Sequence, residues 1–270
     1  MSATALGVAL ALASAVLHAA WNIRLKSSDD PLRLAARAVP IATLIGTPVA
    51  AVAWFLAGRP GLAWPGWVLA LLSGGVELAY FHSLSRAYRR GEISSIYPVA
   101  RGTAPILAVA LGVGLLGERL SLLQAAGVAA LVAGIWLARP GVATRVALVP
   151  AIATGVCIAG HSALDRLGVQ AGPWWVYAWA VSVSTSLWLL PWARVPAPGA
   201  ATIGVLTVTA YTLVLFAFSI APLAVVAPAR EAGVVVVAGW GIWRLGEREA
   251  AWRKVAGALA VVAGTVLLVL

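Results

Sequence analysis

Residues 94–118, SSIYPVARGTAPILAVALGVGLLGE, form an apolar run of membrane length that carries Arg101 and two prolines, Pro98 and Pro105, inside it. A charge at the centre of a bilayer-spanning helix costs about 2.5–3.5 kcal/mol on insertion scales, so it faces protein or water rather than lipid. Residues 222–247 repeat the design with Pro228, Arg230 and Glu231, and both stretches close on LGER. Two such segments, one in each half of the chain, predict a polar site between two repeats.

The composition around these segments agrees. Of the 270 residues, 62% are hydrophobic and only 10% charged, whereas a soluble globular domain carries about 25% charged residues. The class is an all-α integral membrane protein. The net charge of +10 is distributed over short connections between apolar runs, where positive charge sets membrane orientation. It comes with no nucleic-acid-binding module or basic patch, so no nucleic-acid partner is expected. The single cysteine, Cys157, and the scattered His18, His82 and His161 exclude an intrachain disulfide and give no metal-ligand spacing. No cofactor is expected. Residues 3–20 are apolar, but no basic region precedes them and the run exceeds the usual h-region, so they are read as a retained first helix.

At about 20 apolar residues per span, ten transmembrane helices are predicted: 3–23, 34–56, 67–87, 94–116, 122–138, 146–167, 174–192, 201–219, 223–245 and 252–270. The turns between them contain Asp29-Asp30-Pro31, Gly58 to Gly61, Pro140-Gly141, Gly172-Pro173 and Pro196 to Gly199. Trp64, Trp67, Trp174, Trp175 and Trp192 lie near helix ends, as interfacial anchors do. ALASAVLHAAWNIRLK matches AIATGVCIAGHSALDRLG, aligning His18 with His161, and YPVARG…LGERLSLLQAAG matches APAREAG…LGEREAAWRKVAG. Arg101 then aligns with Arg230 or Glu231, depending on which of the two motifs sets the register. The chain therefore divides into five-helix repeats over 1–140 and 141–270. An odd number of helices per repeat inverts one repeat relative to the other, and the architecture expected is two inverted five-helix repeats around a central cavity.

Of the 19 lysines and arginines, 14 sit at the connections after helices 1, 3, 5, 7 and 9, against Arg59, Arg119 and Arg166 at the others. The positive-inside rule then places both termini outside the cytoplasmic (inner) membrane.

Few polar residues fall inside the spans. His18, Trp21 and Asn22 share a face near the end of helix 1, and a histidine with an unperturbed pKa near about 6.5 suits proton transfer as well as structural hydrogen bonding. His161 is its counterpart; Asp165 and Arg166, one turn later, are read as marking that helix's end. Glu77, near the centre of helix 3, is protonated, paired or hydrated at that depth. It is a candidate for proton coupling or an ion pair with Arg101 or Arg230; Glu231 is another. Tyr97 and Arg101 lie one turn apart on helix 4. An arginine there suits a carboxylate or phosphate group of a substrate. The prolines are read as kinks. The small-residue runs GVAALVAG and GALAVVAG suit close helix packing, as scaffold or oligomer contact. GGVE at 74–77 lacks the ending of a phosphate-binding loop, and no nucleotide-binding motif is present.

HAAWN ending helix 1, RAYRRGEISSIYPVARG entering helix 4 and LGERLSLLQAAGVAALVAG across helices 4 and 5, echoed by APLAVVAPAREAG and LGERE, resemble the drug/metabolite transporter superfamily, in its EamA-like branch. The resemblance implies a ten-helix basket whose cavity is walled mainly by helices 1, 3, 4, 6, 8 and 9. It implies carriage of amino acids, related metabolites or drugs, often driven by an ion gradient. On that basis the substrate-binding candidates are His18, Trp21, Asn22, Tyr80, Tyr97, Arg101, His161, Tyr211 and Arg230, with Glu77 and Glu231 as proton-coupling or ion-pair residues. The expected partners are a small-molecule substrate, membrane lipids and a proton or other coupling ion, the protein being a monomer or homodimer. The chain departs from the common N-in pattern of that branch, since the connection after helix 2 carries only Arg59. A lipid or lipid-linked sugar flippase is the alternative within transport; a membrane-embedded enzyme and a scaffold are alternatives outside it, and no enzymatic constellation is read.

Overall fold

The computed structural model describes residues 2–91, 93–138, 145–193, 199–244 and 251–270. The second LGER and the turn at Pro140-Gly141 lie outside the described residues, as does most of the turn at Pro196 to Gly199. Among the described residues the chain is helical and has no strand. The helices are α1 (Ala3–Lys26), α2 (Pro31–Leu56), α3 (Trp64–Arg90), α4 (Ile93–Gly114), α5 (Leu122–Leu137), α6 (Arg145–Gly168), α7 (Trp174–Leu189, continued by a 3-10 turn over Leu190–Trp192), α8 (Ala200–Ile220), α9 (Leu223–Arg230), α10 (Gly233–Arg244) and α11 (Ala251–Val269).

Seven of them, α1, α2, α3, α4, α6, α8 and α11, are long and apolar enough to cross a membrane. The helices α5 and α7 have 16 residues each, about 24 Å at ~1.5 Å per residue, somewhat short of a ~30 Å hydrocarbon core. Leu44, Val49, Leu56 and Val149, each more than two-thirds exposed, form the kind of outer surface that lipid solvates. Trp64 and Trp67 are exposed at the start of α3, where an interfacial anchor belongs.

The single ninth helix expected over 223–245 is two helices. At the junction, N–H groups bond three residues back: Glu231 to Pro228 (3.0 Å), Ala232 to Ala229 (3.2 Å) and Val234 to Glu231 (3.2 Å). Pro228 lacks an N–H and crowds the preceding turn, and Gly233 lets the backbone press against α1. A Cβ at 233 would stand 2.7 Å from the Ala15 carbonyl oxygen. Pro98 and Pro105 in α4 produce no such break.

The helix pairs in most extensive contact are α3 with α6, α5 with α11, α1 with α8 and α4 with α6. The α5–α11 contact explains the two small-residue runs. A Cβ on Gly134 would approach the Gly257 carbonyl oxygen to 2.6 Å, and one on Gly127 the Gly264 oxygen to 2.8 Å. The backbones touch because these positions have no side chain. Ser121 and Gln124 start α5 with a reciprocal capping box.

LGER also acquires a physical role at its first copy. Gly117 takes a left-handed φ of 66°, which a residue without Cβ adopts freely, and the chain turns there. The Glu118 carboxylate then accepts the N–H groups of Leu223 and Ala224, both at 2.8 Å, at the start of α9. Arg166 Nε donates to the same carboxylate at 3.1 Å, and Arg166 Nη1 to the Phe218 carbonyl at the end of α8. A carboxylate on a helix N-terminus satisfies otherwise unpaired donors and complements the helix dipole.

Candidate functional site

Eight helices converge on a polar cavity. Its wall contains His18 and Trp21 of α1, Glu77, Tyr80 and Phe81 of α3, and Arg101 of α4. Facing them are His161 of α6, Ser182 and Thr185 of α7, Tyr211 of α8 and Arg230 of α9, with Val39 of α2 closing one side. The space they leave is ≈ 30 Å³, room for roughly two water molecules. The site is therefore contracted, too small as it stands for anything much larger than water.

One end of the cavity is built on Glu231. Its Oε2 accepts from Arg101 Nη1 at 2.8 Å and its Oε1 from Arg230 Nε at 3.1 Å, and all three side chains are buried. The break between α9 and α10 brings Arg230 and Glu231 side by side at the end of α9, so one carboxylate is shared by guanidiniums from α4 and α9. The Arg101 guanidinium also lies over the Tyr97 ring, 5.0 Å from its centroid, a cation–π geometry.

The other end is acidic. Glu77 Oε2 accepts from Thr185 Oγ1 at 3.2 Å; among the described residues it makes no ion pair. Behind it Asp165 is fully buried. It accepts from Ser73 Oγ (2.6 Å), Tyr177 Oη (3.1 Å) and Tyr211 Oη (2.5 Å), and lies 3.2 Å from His161 Nδ1. The His161 ring is edge-on to Tyr80 at 6.3 Å and tilted to Tyr211 at 5.9 Å. On the opposite wall His18 Nδ1 is 3.0 Å from both the hydroxyl and the carbonyl of Ser14. Trp21 is 1% exposed, and its Nε1 is a buried donor with no hydrogen-bond partner.

Eight of the eleven expected residues thus meet at the cavity: His18, Trp21, Glu77, Tyr80, Arg101, His161, Tyr211 and Arg230. Three stand behind its wall. Asn22 is turned away, donating to the His18 carbonyl (2.8 Å) and accepting from the Tyr88 hydroxyl (2.7 Å). Tyr97 lies beneath Arg101, and Glu231 between the two arginines. The pairing left open for Arg101 is with Glu231, not Glu77. Asp165 stands in the last turn of α6, which ends at Gly168, as the helix-end reading has it; what that reading lacks is the enclosure of the carboxylate by tyrosines of α7 and α8. Ser182 and Thr185 were missed because α7 reads as a plain apolar span; a small-hydroxyl run, SVSTS over 182–186, was the available signal.

This arrangement can hold an anionic group near the arginines, an acceptor at Trp21 and a cationic group near Glu77. Comparisons with known proteins bear on the fold and the family. A crystal structure of a protein with 19% sequence identity superposes with a TM-score of 0.72, over 99% of this chain and 98% of that one, which is a likeness of fold. No curated protein matches. The model of the EamA-like transporter family matches residues 5–139, half the chain, taking in α1 to α5 with Glu77, Arg101 and the first LGER. The chain is a member of the EamA-like transporter family.

Proposed function

We propose that the protein is a secondary active transporter of small metabolites, among them amino acids, related polar metabolites and drugs. It moves them across the cytoplasmic membrane by alternating access and is driven by protons. The observation that carries this reading is the contracted cavity, with guanidiniums on one side and carboxylates on the other, walled by helices from both ends of the sequence. A site of that kind at the interface of two inverted repeats, next to a broken helix, is the common plan of secondary transporters.

The helix contacts support the inverted-repeat reading. If α1 corresponds to α6, α3 to α8 and α5 to α11, then the α3–α6 and α1–α8 contacts are one contact occurring twice, and α5–α11 is a contact between equivalents. Counting α9 and α10 as one span interrupted at Glu231 supports a ten-span reading, and the positive-inside count supports both termini outside. A flippase would use a side opening continuous with its polar site. Among the described residues, the apolar groove of ≈ 470 Å³ between α1, α10 and α11 shares none with the cavity, which favours a solute over a lipid.

The test is counterflow in proteoliposomes across panels of amino acids, nucleobases, sugars and cationic drugs. At least one class exchanges in the wild type, and Arg101→Ala abolishes that exchange while the protein inserts normally, because Glu231 keeps Arg230. Absence of exchange for every panel with correctly folded protein overturns the reading, as does full exchange by Arg101→Ala.

A further inference from the structure

The two ends of the chain place different chemistry at matching positions. His18 precedes Asn22 by four residues, as His161 precedes Asp165. The first pair is uncharged at Asn22, which spends its amide on His18 O and Tyr88 Oη. The second is an imidazole 3.2 Å from a carboxylate that has no exposure to solvent. A carboxylate offers about four acceptor positions. Asp165 fills them with Ser73, Tyr177, Tyr211 and His161, so a proton placed on Asp165 itself would displace one of these donors. The open position of the pair is His161 Nε2, which makes no hydrogen bond among the described residues and belongs to a side chain in the cavity wall.

The charges around this pair do not balance. Glu77 and Tyr80 face it from α3, Arg101 from α4, Tyr177 from α7 and Tyr211 from α8. Arg230 faces it from α9 and His18 from α1, with Glu231 behind the arginines. Two guanidiniums meet three carboxylates, Glu77, Asp165 and Glu231. With both imidazoles neutral the contracted cavity holds one negative charge in excess, and an uncompensated charge in a membrane-protein interior is costly. One proton on Glu77 or on His161 removes the excess; of the two, His161 has a buried carboxylate, Asp165, at 3.2 Å to hold the charged form, whereas Glu77 has only the Thr185 hydroxyl among the described residues. The imidazolium then has Asp165 on Nδ1 and presents Nε2–H to the cavity.

We infer that His161, held in place by Asp165, is the group that takes up one proton as the cavity closes and releases it to water as the cavity opens. This rests on the transport reading and adds to it the site of the coupling charge. The proton comes from water on one side of the membrane, forms the Nε2–H bond, and leaves to water on the other side; no other bond changes.

The test needs no substrate, because its probe is the proton. Proteoliposomes on a solid-supported membrane receive a step from about pH 8 to about pH 6. The wild type gives a transient charge displacement. His161→Gln loses it, and Asp165→Asn, which cancels the excess charge, loses it too. His82→Gln, whose ring lies outside the cavity against Trp192, retains it. Gel filtration verifies that each variant is folded. Full displacement in folded His161→Gln overturns the inference. A displacement produced by sodium or potassium steps at constant pH, with none from the pH step, also overturns it and assigns the charge to a metal cation. The transport reading fails separately: a protein that shows the pH-step signal but no counterflow binds the proton without carrying a solute.

Discussion

Replacing Glu231 by glutamine removes one negative charge from between two buried guanidiniums while nearly preserving shape. The side chains of Arg101, Glu231 and Arg230 are 4%, 1% and 2% exposed, so water cannot take over the lost role. Removing one partner of a buried ion pair costs about 3–5 kcal/mol, because the remaining charge stays desolvated and unpaired. Here two charges are left. For a chain of this size each kcal/mol shifts the melting temperature by roughly 2–4 °C. Glu231→Gln is therefore expected to melt about 6–20 °C below the wild type, measured by tryptophan fluorescence on protein in detergent.

The companion variant carries Arg101→Met, Arg230→Met and Glu231→Leu together. It exchanges the charged cluster for apolar side chains, a change that is often neutral or stabilising. It should recover most of the lost melting temperature and transport nothing. If Glu231→Gln melts within about 2 °C of the wild type, a shift worth under ~1 kcal/mol, Glu231 is not the counter-ion that fixes the arginines. If the triple variant melts as low as the single one, lost packing rather than unpaired charge explains both.

Trp21→Phe removes a buried N–H that has no protein partner. It should lower the melting temperature modestly, since the buried indole loses volume, and raise the KM for a substrate found by counterflow roughly 3–10-fold, the worth of one hydrogen bond; an unchanged KM means that Trp21 only shapes the wall. Gly134→Val drives a side chain toward the Gly257 backbone, 2.6 Å from its carbonyl oxygen already at Cβ. It should destabilise the α5–α11 pair by about 1–3 kcal/mol without changing substrate preference, and wild-type thermal stability would contradict the packing described. Epitope tags at either terminus should be accessible from outside the cell, and protection of both from external protease would reverse the orientation.

The stretch over residues 94–118 was informative because a charge inside an apolar run has few physical outcomes. It predicted that Arg101 faces protein or water rather than lipid, and repetition placed the partner segment near Arg230 and Glu231. Helix 9 was less legible. Pro228 breaks no more hydrogen bonds in sequence than Pro98 or Pro105, yet α4 runs through its two prolines while the ninth span is interrupted after Pro228, where Gly233 also lies close to Ala15 of a distant helix. Asp165 was visible, but its role depends on Ser73, Tyr177 and Tyr211, donors from three other helices. Asn22 shares the helical face of His18 and Trp21, and only the position of Tyr88 turns it out of the cavity. The repeated LGER advertised itself by recurrence, while its docking onto the first turn of α9 needed the packed structure.

Many of the polar contacts that close the molecule run between early and late parts of the chain. Arg101 meets Glu231, Glu77 meets Thr185, Ser73 meets Asp165, and Glu118 meets both Arg166 and the start of α9. Separating α3 and α4 from α6 to α9 breaks these bonds together, and bonds to charged groups are worth about 1.5–3 kcal/mol each. Water can replace them where an opening reaches the surface, as beside Glu118, which is 9% exposed. Deeper, at Arg101 and Glu77, replacement has to come from whatever enters the cavity. A solute that offers an acceptor to the arginine and a donor to the glutamate compensates the opening; one that offers neither leaves buried charges unpaired. Selectivity would then arise from the same bonds that hold the empty cavity shut, and variants that loosen them should broaden the range of solutes exchanged as they weaken the fold.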